Sequence, residues 1–209
     1  MSAPLRLFVA ITLPDALRDA LLQHILRLKA LGVPAAYPAS ENLHLSLAFL
    51  GDQAPERVSA IDAALRIATQ GRAPFTLDCA SLGVFYRGRS PQVLWLGLQP
   101  QPALSRLHAA LRTRLEECGI QLEKRPYSPH ITLARLKKTW GNRPSAQSTN
   151  KGELPLQALL EGYLQRYAQQ PIIEPKAARF EVQQLSLFQS ELLPSGARYR
   201  CLSSHAFAP

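Results

Sequence analysis

The 209-residue sequence has only three cysteines, and none of them lies close to another in the chain. Cys79, Cys118 and Cys201 are odd in number and form no C-x-x-C pair, which argues against a disulfide framework and against a thiolate zinc site. Free cysteine mostly behaves as a small buried hydrophobe. We therefore expect all three to be reduced structural residues.

The chain also lacks the long apolar runs of membrane proteins and the leader of exported ones. No window approaches the roughly 18 uninterrupted apolar residues of a membrane span. The opening MSAPLRLFVAITLPD has neither the basic head nor the small-residue cleavage site of a secretory signal. Because 46% of the residues are hydrophobic, the chain can still bury a substantial core. These features predict a cytoplasmic globular protein with no membrane partner.

Acidic residues are scarce relative to basic ones. The 15 Asp and Glu stand against 24 Lys and Arg, which gives a net charge of +9. Such a surface favours polyanions, although charge alone indicates association and not chemistry.

One order of elements occurs twice along the chain. A strand, an amphipathic helix, a glycine and a second strand follow one another, and the two glycines, Gly32 and Gly119, are 87 positions apart. This spacing predicts an internal duplication of one structural unit. The predicted strands are Leu5–Leu13, Leu43–Leu50, Phe75–Val84, Gln92–Leu98, Ser128–Leu136, about Phe180–Phe188 and Arg198–Leu202, and the predicted helices begin at Pro14, Pro55, Pro102 and Leu156.

The second strand of each unit carries the same unusual motif. HLSLAF begins at His44 and HITLAR at His130, 86 positions later. Because strand side chains alternate between faces, His44, Ser46 and Ala48 are expected on one face and Leu45, Leu47 and Phe49 on the other. By the same alternation, His130, Thr132 and Ala134 share a face. A pseudo-two-fold axis between the units would bring both faces to one cleft.

Two histidines that face each other across a cleft suit displacement at phosphorus. A neutral imidazole can take a proton from water and an imidazolium can protonate the leaving oxygen, because histidine titrates near neutral pH. The hydroxyls of Ser46 and Thr132 can bind the non-bridging oxygens. One such histidine alone is more often structural, but recurrence in a duplicated unit favours catalysis. Zinc is the other interpretation, although neither motif carries a nearby carboxylate on its histidine face.

HLSLAFLG and SPHITLARL resemble the two signature motifs of the 2H phosphoesterase superfamily, and within it of the LigT-like RNA 2′,3′-cyclic phosphodiesterases. LRLFVAITLP, LGVFYRGRSPQVLWLGL and LSLFQSELLPSGARYRCL are similar to further family segments. The resemblance implies a bilobal α+β fold, internally duplicated, with two antiparallel sheets and outer helices flanking a central groove. It implies one such domain over residues 1–209, working as a monomer.

The resemblance also implies the reaction and its residues. His44 is expected to be the proton donor and His130 the proton acceptor, a choice that the symmetry of the sequence leaves open. Ser46 and Thr132 would hold the phosphate. The reaction would open a terminal 2′,3′-cyclic phosphate on RNA, tRNA fragments included, to a 2′-phosphomonoester without metal or other cofactor, and some relatives join RNA ends through a 2′-5′ linkage.

Charge and aromaticity add further candidates for the substrate. Arg135 ends the second motif strand and is expected at the phosphate, while Arg125, Tyr127, Tyr86 and Arg87 suit a single-stranded RNA end.

The segment from Lys137 to Lys176 is longer than the family pattern. It predicts a surface insertion, with a flap or an extra helix beside the groove as the alternative.

Two other functions stay open at this point. One is an RNA-end-binding module without turnover, which the basic charge favours and the paired histidines do not need. The other is the same chemistry on a small cyclic nucleotide.

Overall fold

The two predicted units are present as a strand, a helix and an antiparallel partner strand each. The computed structural model describes residues 3–88, 90–137, 156–168, 173–194 and 196–208. The strands are β1 (Leu5–Thr12), β2 (Ala35–Ala36), β3 (His44–Gln53), β4 (Phe75–Arg87), β5 (Ser90–Leu98), β6 (His130–Leu136), β7 (Arg179–Val182), β8 (Gln184–Leu193) and β9 (Gly196–Ala206). The helices are α1 (Asp15–Ala30), α2 (Val58–Thr69), α3 (Pro102–Glu117), α4 (Leu156–Ala168) and α5 (Pro175–Ala178).

The strands of the described part of the chain form one continuous sheet and not two separate ones. Their order is β7-β4-β5-β6-β3-β1-β8-β9, and β2 pairs with β6. The halves meet where β3 and β6 pair through Leu45 and Ile131. The strands within each half pair in antiparallel fashion, so the prediction of an α+β fold with antiparallel sheets is confirmed. The two predicted sheets are, however, joined at their centre into one.

The long helix of each unit buries a leucine-rich face and ends at a glycine. Both α1 and α3 contribute fully buried leucines to the core. Gly32 and Gly119 follow these helices with φ of 73° and 74°, a left-handed conformation that glycine adopts without steric cost. Leu31 lies beyond the end of α1 and is 43% exposed.

Three strands extend further than predicted. The strand that starts at His44 continues through Gly51 to Gln53, because the residues after Leu50 still pair with β1. The YRGRSP stretch is mostly strand: β4 extends to Arg87, β5 begins at Ser90, and the hairpin turns at Gly88. Arg89 lies outside the described residues.

The predicted insertion is described only in part, since residues 138–155 and 169–172 lie outside the described residues. Its predicted helix is confirmed as α4, which lies against α1. The Nδ1 atom of buried His24 is 2.8 Å from the Oη atom of Tyr163, and Arg27 donates to the hydroxyl of Tyr167. Because Leu160 and Tyr163 are almost fully buried, α4 belongs to the core.

In the part of the chain that the structure describes, no helix combines the length and the apolar character needed to cross a membrane. The three cysteines are unpaired, and Cys201 is exposed, contrary to the expected burial.

Candidate active site

The two motif histidines lie on either side of the point where the halves of the sheet meet. His44 is the first residue of β3 and His130 the first of β6. The next residues, Leu45 and Ile131, pair with each other. Continued by one residue, this antiparallel register sets His44 opposite Thr132. The duplication therefore brings both motifs to one place.

Both imidazoles are held in the same tautomer by their own backbone. The Nδ1 atom of His44 is 2.7 Å from the carbonyl oxygen of Asn42, and that of His130 is 2.8 Å from the carbonyl oxygen of Ser128. Since a carbonyl can only accept, each Nδ1 carries the proton. Each Nε2 is then a proton acceptor in the neutral ring and a donor in the imidazolium.

Burial is the main electrostatic influence on both rings. It lowers the pKa of His44, and the charges of Arg135 and His130 lower that pKa further, while the hydrogen bond to Asn42 acts in the opposite direction. Burial also lowers the pKa of His130, again with a contribution from Arg135 and an opposing one from Ser128. The guanidinium of Arg135 is thus close enough to act on both imidazoles.

Each histidine ring also packs against a pair of aromatic rings that contact each other. His44 lies 5.0 Å from Phe8 and 5.3 Å from Tyr199, measured between ring centroids. His130 meets Phe85 edge-on at 4.8 Å and Trp95 at 6.2 Å. These contacts restrict the orientation of each ring and exclude water from its faces, which is the cause of the lowered pKa values.

The two motif hydroxyls lie on the histidine face, as predicted. The Oγ atom of Ser46 is 2.8 Å from Nε2 of His44, and it donates to the neutral ring. Thr132 is half-buried, like His130 on the same strand. A phosphate bound between the strands can therefore meet one hydroxyl and one Nε2 from each unit.

A β-bulge in each motif strand changes the alternation that the sequence predicts. Leu47 in β3 and Leu133 in β6 fall at a register shift and are skipped in the pairing with the neighbouring strand. Ala134, expected on the histidine face, is consequently fully buried in the core. Phe49, expected on the core face, is 60% exposed, and Arg135 is exposed at the equivalent position. Bulges often re-aim side chains beside active sites in this way.

The remaining sequence candidates lie along a cavity of about 780 Å³ beside His130. Tyr86, Arg87, Arg125 and Tyr127 all line it, together with Ser46 and Phe49. Tyr127 also donates from its hydroxyl to the carbonyl of Ser46, at 3.1 Å. Arg125 is paired with Glu123 at 2.8 Å. Among the described residues, no group of three or more His, Cys, Asp and Glu side chains could hold a metal ion.

Three residues at this site were not among the predicted site residues. Strand alternation places Phe49 on the core face, because it does not predict the bulge at Leu47. Trp95 contacts His130 from a neighbouring strand. His108 lies in α3 and lines the cavity from that helix. The shared 86-residue spacing of Phe49 and Arg135 was the one signal in the sequence that could have paired them.

The chain is similar to known proteins over most of its length. The sequence model of the family described as the 2'-5' RNA ligase superfamily matches residues 13–163. The chain is similar to the RNA 2',3'-cyclic phosphodiesterase of Methanothermobacter thermautotrophicus, with 31% identity over 194 residues that cover 93% of this chain and 94% of the relative. It is also similar to the RNA 2',3'-cyclic phosphodiesterase of Escherichia coli, with 41% identity over 140 residues, or 65% of this chain and 74% of the relative.

Two solved structures share the fold over nearly the whole chain. TT0787 of Thermus thermophilus has a TM-score of 0.73 and 25% identity, with 97% of each chain covered. E. coli LigT complexed with 3'-AMP has a TM-score of 0.69 and 26% identity, with 99% of each chain covered.

Proposed function

The chain belongs to the 2'-5' RNA ligase superfamily, and we propose that it opens the 2′,3′-cyclic phosphate at the end of an RNA to a 2′-phosphomonoester. The observation that carries this proposal is the pair of like-oriented imidazoles, His44 and His130, on two equivalent strands that meet at Leu45 and Ile131. The relatives named above as RNA 2',3'-cyclic phosphodiesterases support the choice of substrate.

In this mechanism the two histidines act on opposite sides of the phosphorus atom. His130, neutral with its lone pair on Nε2, takes a proton from the attacking water. The negative charge of a phosphate bound beside His44 favours the imidazolium form of that ring, against the effect of burial. This imidazolium gives its Nε2 proton to the ribose O3′ as the P–O3′ bond breaks. Each such proton transfer typically contributes ~10²–10⁴ in rate. If the 5′-hydroxyl of a second RNA took the place of water, the same two proton transfers would join the RNA ends through a 2′-5′ linkage, with O3′ again the leaving oxygen.

The difference between the two units supports this assignment of roles. Phe49, in the strand of His44, is an exposed aromatic ring in the cavity and is suited to stack the terminal base. A base held there keeps the ribose, and so its leaving O3′, on the side of His44. Arg135, in the strand of His130, carries the positive charge that the phosphate needs, and a guanidinium can bind it through two parallel hydrogen bonds. Water then approaches from the side of His130.

The hydroxyls of Ser46 and Thr132 complete the phosphate site. They donate to the non-bridging oxygens, where negative charge increases in the transition state. Ser46 would give up its bond to His44 to do so, which frees the Nε2 of that ring for its proton.

The test is hydrolysis of an RNA oligonucleotide that ends in a 2′,3′-cyclic phosphate, measured with a chelator present. We expect activity in the wild type and a loss of at least about 10²-fold in His44→Ala and in His130→Ala. His205→Ala is the matched control, because that ring pairs at 2.7 Å with Asp62 of α2, a helix that carries no motif residue.

Full activity in either motif variant would refute the acid–base roles, and inactivation by the chelator would point to a metal. Tight binding of the cyclic end without product would point to an RNA-end-binding module.

We further infer that the enzyme acts as a monomer on RNA ends in the cytoplasm, tRNA fragments among them. Both histidines come from one chain, so the site needs no second copy. The net charge of +9 suits a polyanionic partner. Size-exclusion chromatography with light scattering tests the oligomeric state, and sequencing of the RNA ends that accumulate without the protein tests the substrates.

A further inference from the structure

The cavity lined by His130 extends well past that residue. One part is bounded by Ser46, Phe49 and Phe85, close to the reaction centre. It continues to a second part beneath α3, which is lined by His108, Leu111, Arg112, Leu122, Arg125 and Tyr127. A volume of about 780 Å³ lies in the upper part of the range of small-molecule sites. The cavity therefore has room for more than the terminal nucleotide.

An aromatic platform forms the wall of this second part. The rings of His108 and Tyr127 are stacked in parallel, with centroids 3.9 Å apart and planes 7° apart. The hydroxyl of Tyr127 donates to the backbone carbonyl of Ser46, which fixes the platform to a motif strand. This hydrogen bond connects the platform directly to the strand that carries Ser46.

The platform carries no charge at neutral pH, whereas its rim is positive. Burial, with help from the charge of Arg112, lowers the pKa of His108, so its imidazole is neutral and can both donate and accept a hydrogen bond. Arg112 is held by the carbonyl of Glu123 at 2.8 Å. Arg125 reaches into solvent, with 86% of its side chain exposed.

A neutral stacking surface with arginines at its rim has the chemistry of a nucleoside site next to a phosphodiester. Bases stack on aromatic rings with little regard to sequence, while phosphates attract the guanidinium groups. Leu111 and Leu122 add an apolar floor. In an RNA whose terminal base lies at Phe49, the group that reaches this part of the cavity is the preceding nucleotide.

We propose that the part of the cavity lined by His108, Tyr127 and Arg125, the His108 subsite, binds the nucleoside and phosphodiester immediately 5′ of the cyclic-phosphate nucleotide. The enzyme then prefers RNA of two or more nucleotides to a cyclic mononucleotide. This inference rests on the proposed function, since it uses the same reaction centre.

The test compares kcat/KM for adenosine 2′,3′-cyclic phosphate and for the dinucleotide ApA ending in a 2′,3′-cyclic phosphate. The wild type is expected to prefer the dinucleotide by about tenfold or more, the effect of stacking one base. His108→Ala should reduce this preference to within about threefold of unity, and His108→Phe should retain most of it because a ring is kept.

Arg125→Ala is a second test variant, and it leaves the stacked rings of His108 and Tyr127 unchanged. We expect it to reduce the preference and to weaken the salt dependence of dinucleotide hydrolysis. Arg179→Ala is the matched control: Arg179 is also an exposed, ion-paired arginine, with Asp78 at 3.7 Å, but it does not line the cavity.

Equal kcat/KM for the two substrates in the wild type would overturn the subsite and leave the proposed function standing. A preference that survives both His108→Ala and Arg125→Ala would also overturn it, because the second nucleotide would then bind elsewhere. Failure to hydrolyse either substrate would refute the proposed function itself.

Discussion

Gly83 is predicted to control the position of a proposed catalytic histidine that it does not touch. It lies in β4 opposite Trp95 in β5, and the indole ring of Trp95 covers the place where a side chain would begin. A Cβ atom added to Gly83 would lie 2.3 Å from both Cζ2 and Cη2 of that ring. Ordinary contacts begin near 3.4 Å. The ring must therefore move by about 1 Å in Gly83→Ala.

A displaced Trp95 ring would push on the rings that it contacts. Its ring is 5.0 Å from the ring of Phe85 and 6.2 Å from that of His130, and Phe85 meets His130 edge-on. Overpacking of this kind costs about 1–3 kcal/mol of stability. A displacement of about 1 Å in a reacting group can cost on the order of 10²-fold in rate. We therefore expect Gly83→Ala to lower kcat by roughly 10-fold to 100-fold with KM little changed.

The assay is steady-state hydrolysis of cyclic-phosphate RNA, beside urea unfolding of the same samples. Gly162→Ala in α4 is the control, because nothing lies within 4 Å of its added Cβ atom. Trp95→Phe in the Gly83→Ala background removes the ring atoms that clash and should recover part of kcat. A folded Gly83→Ala variant with the wild-type kcat would refute the idea that Trp95 positions His130.

Two further predictions concern charge. Arg135→Ala should lower kcat by about 10²–10³-fold, as removal of a donor to a developing oxyanion does. Arg135→Lys should recover only part of that loss, because lysine keeps the charge but lacks the two parallel N–H donors of the guanidinium. An Arg135→Ala variant within about threefold of the wild type in a kcat assay would contradict this prediction. The pKa values of His44, His108 and His130 are all lowered from 6.5, mainly by burial, so the unfolded chain binds protons more readily than the folded one. The contribution of these histidines to the free energy of unfolding should therefore be complete above pH 6.5 and should decrease progressively as the pH falls below that value. A urea midpoint unchanged between pH 7.5 and pH 5 would contradict this prediction.

Much of the fold could be predicted from local features of the sequence. Leucines at helical spacing and a following glycine are sufficient to place α1 and α3, because helix ends are decided by neighbouring residues. The second strands, with His44 and His130, follow at a nearly constant distance from those glycines. Their meeting at the centre of the sheet follows from the duplication and from the antiparallel pairing of Leu45 with Ile131.

Contacts made by distant segments could not be predicted in this way. Tyr199 reaches the ring of His44 from β9, about 150 positions further along the chain. His108 looks like any polar residue between buried leucines of α3, and only the path of the segment after Gly119 brings Tyr127 onto it. Pairings over such distances depend on the whole sheet, and no local pattern encodes them.

The predicted faces of the motif strands were wrong for Phe49 and Ala134, for one physical reason. Alternation holds only while every residue has a partner, and the extra residues Leu47 and Leu133 break it at equivalent places in the two units. The duplication therefore presents two equivalent positions to the groove, and these now hold Phe49 and Arg135. With an aromatic ring on one side and a cation on the other, a nearly symmetric site can bind an RNA end in one orientation only. That orientation is needed in the proposed function because the base and the phosphate of the RNA end have different chemistry. The proposed acid–base pair follows from the repeat, whereas the proposed polarity of the site follows from a position at which the two motifs differ in chemistry, Phe49 against Arg135.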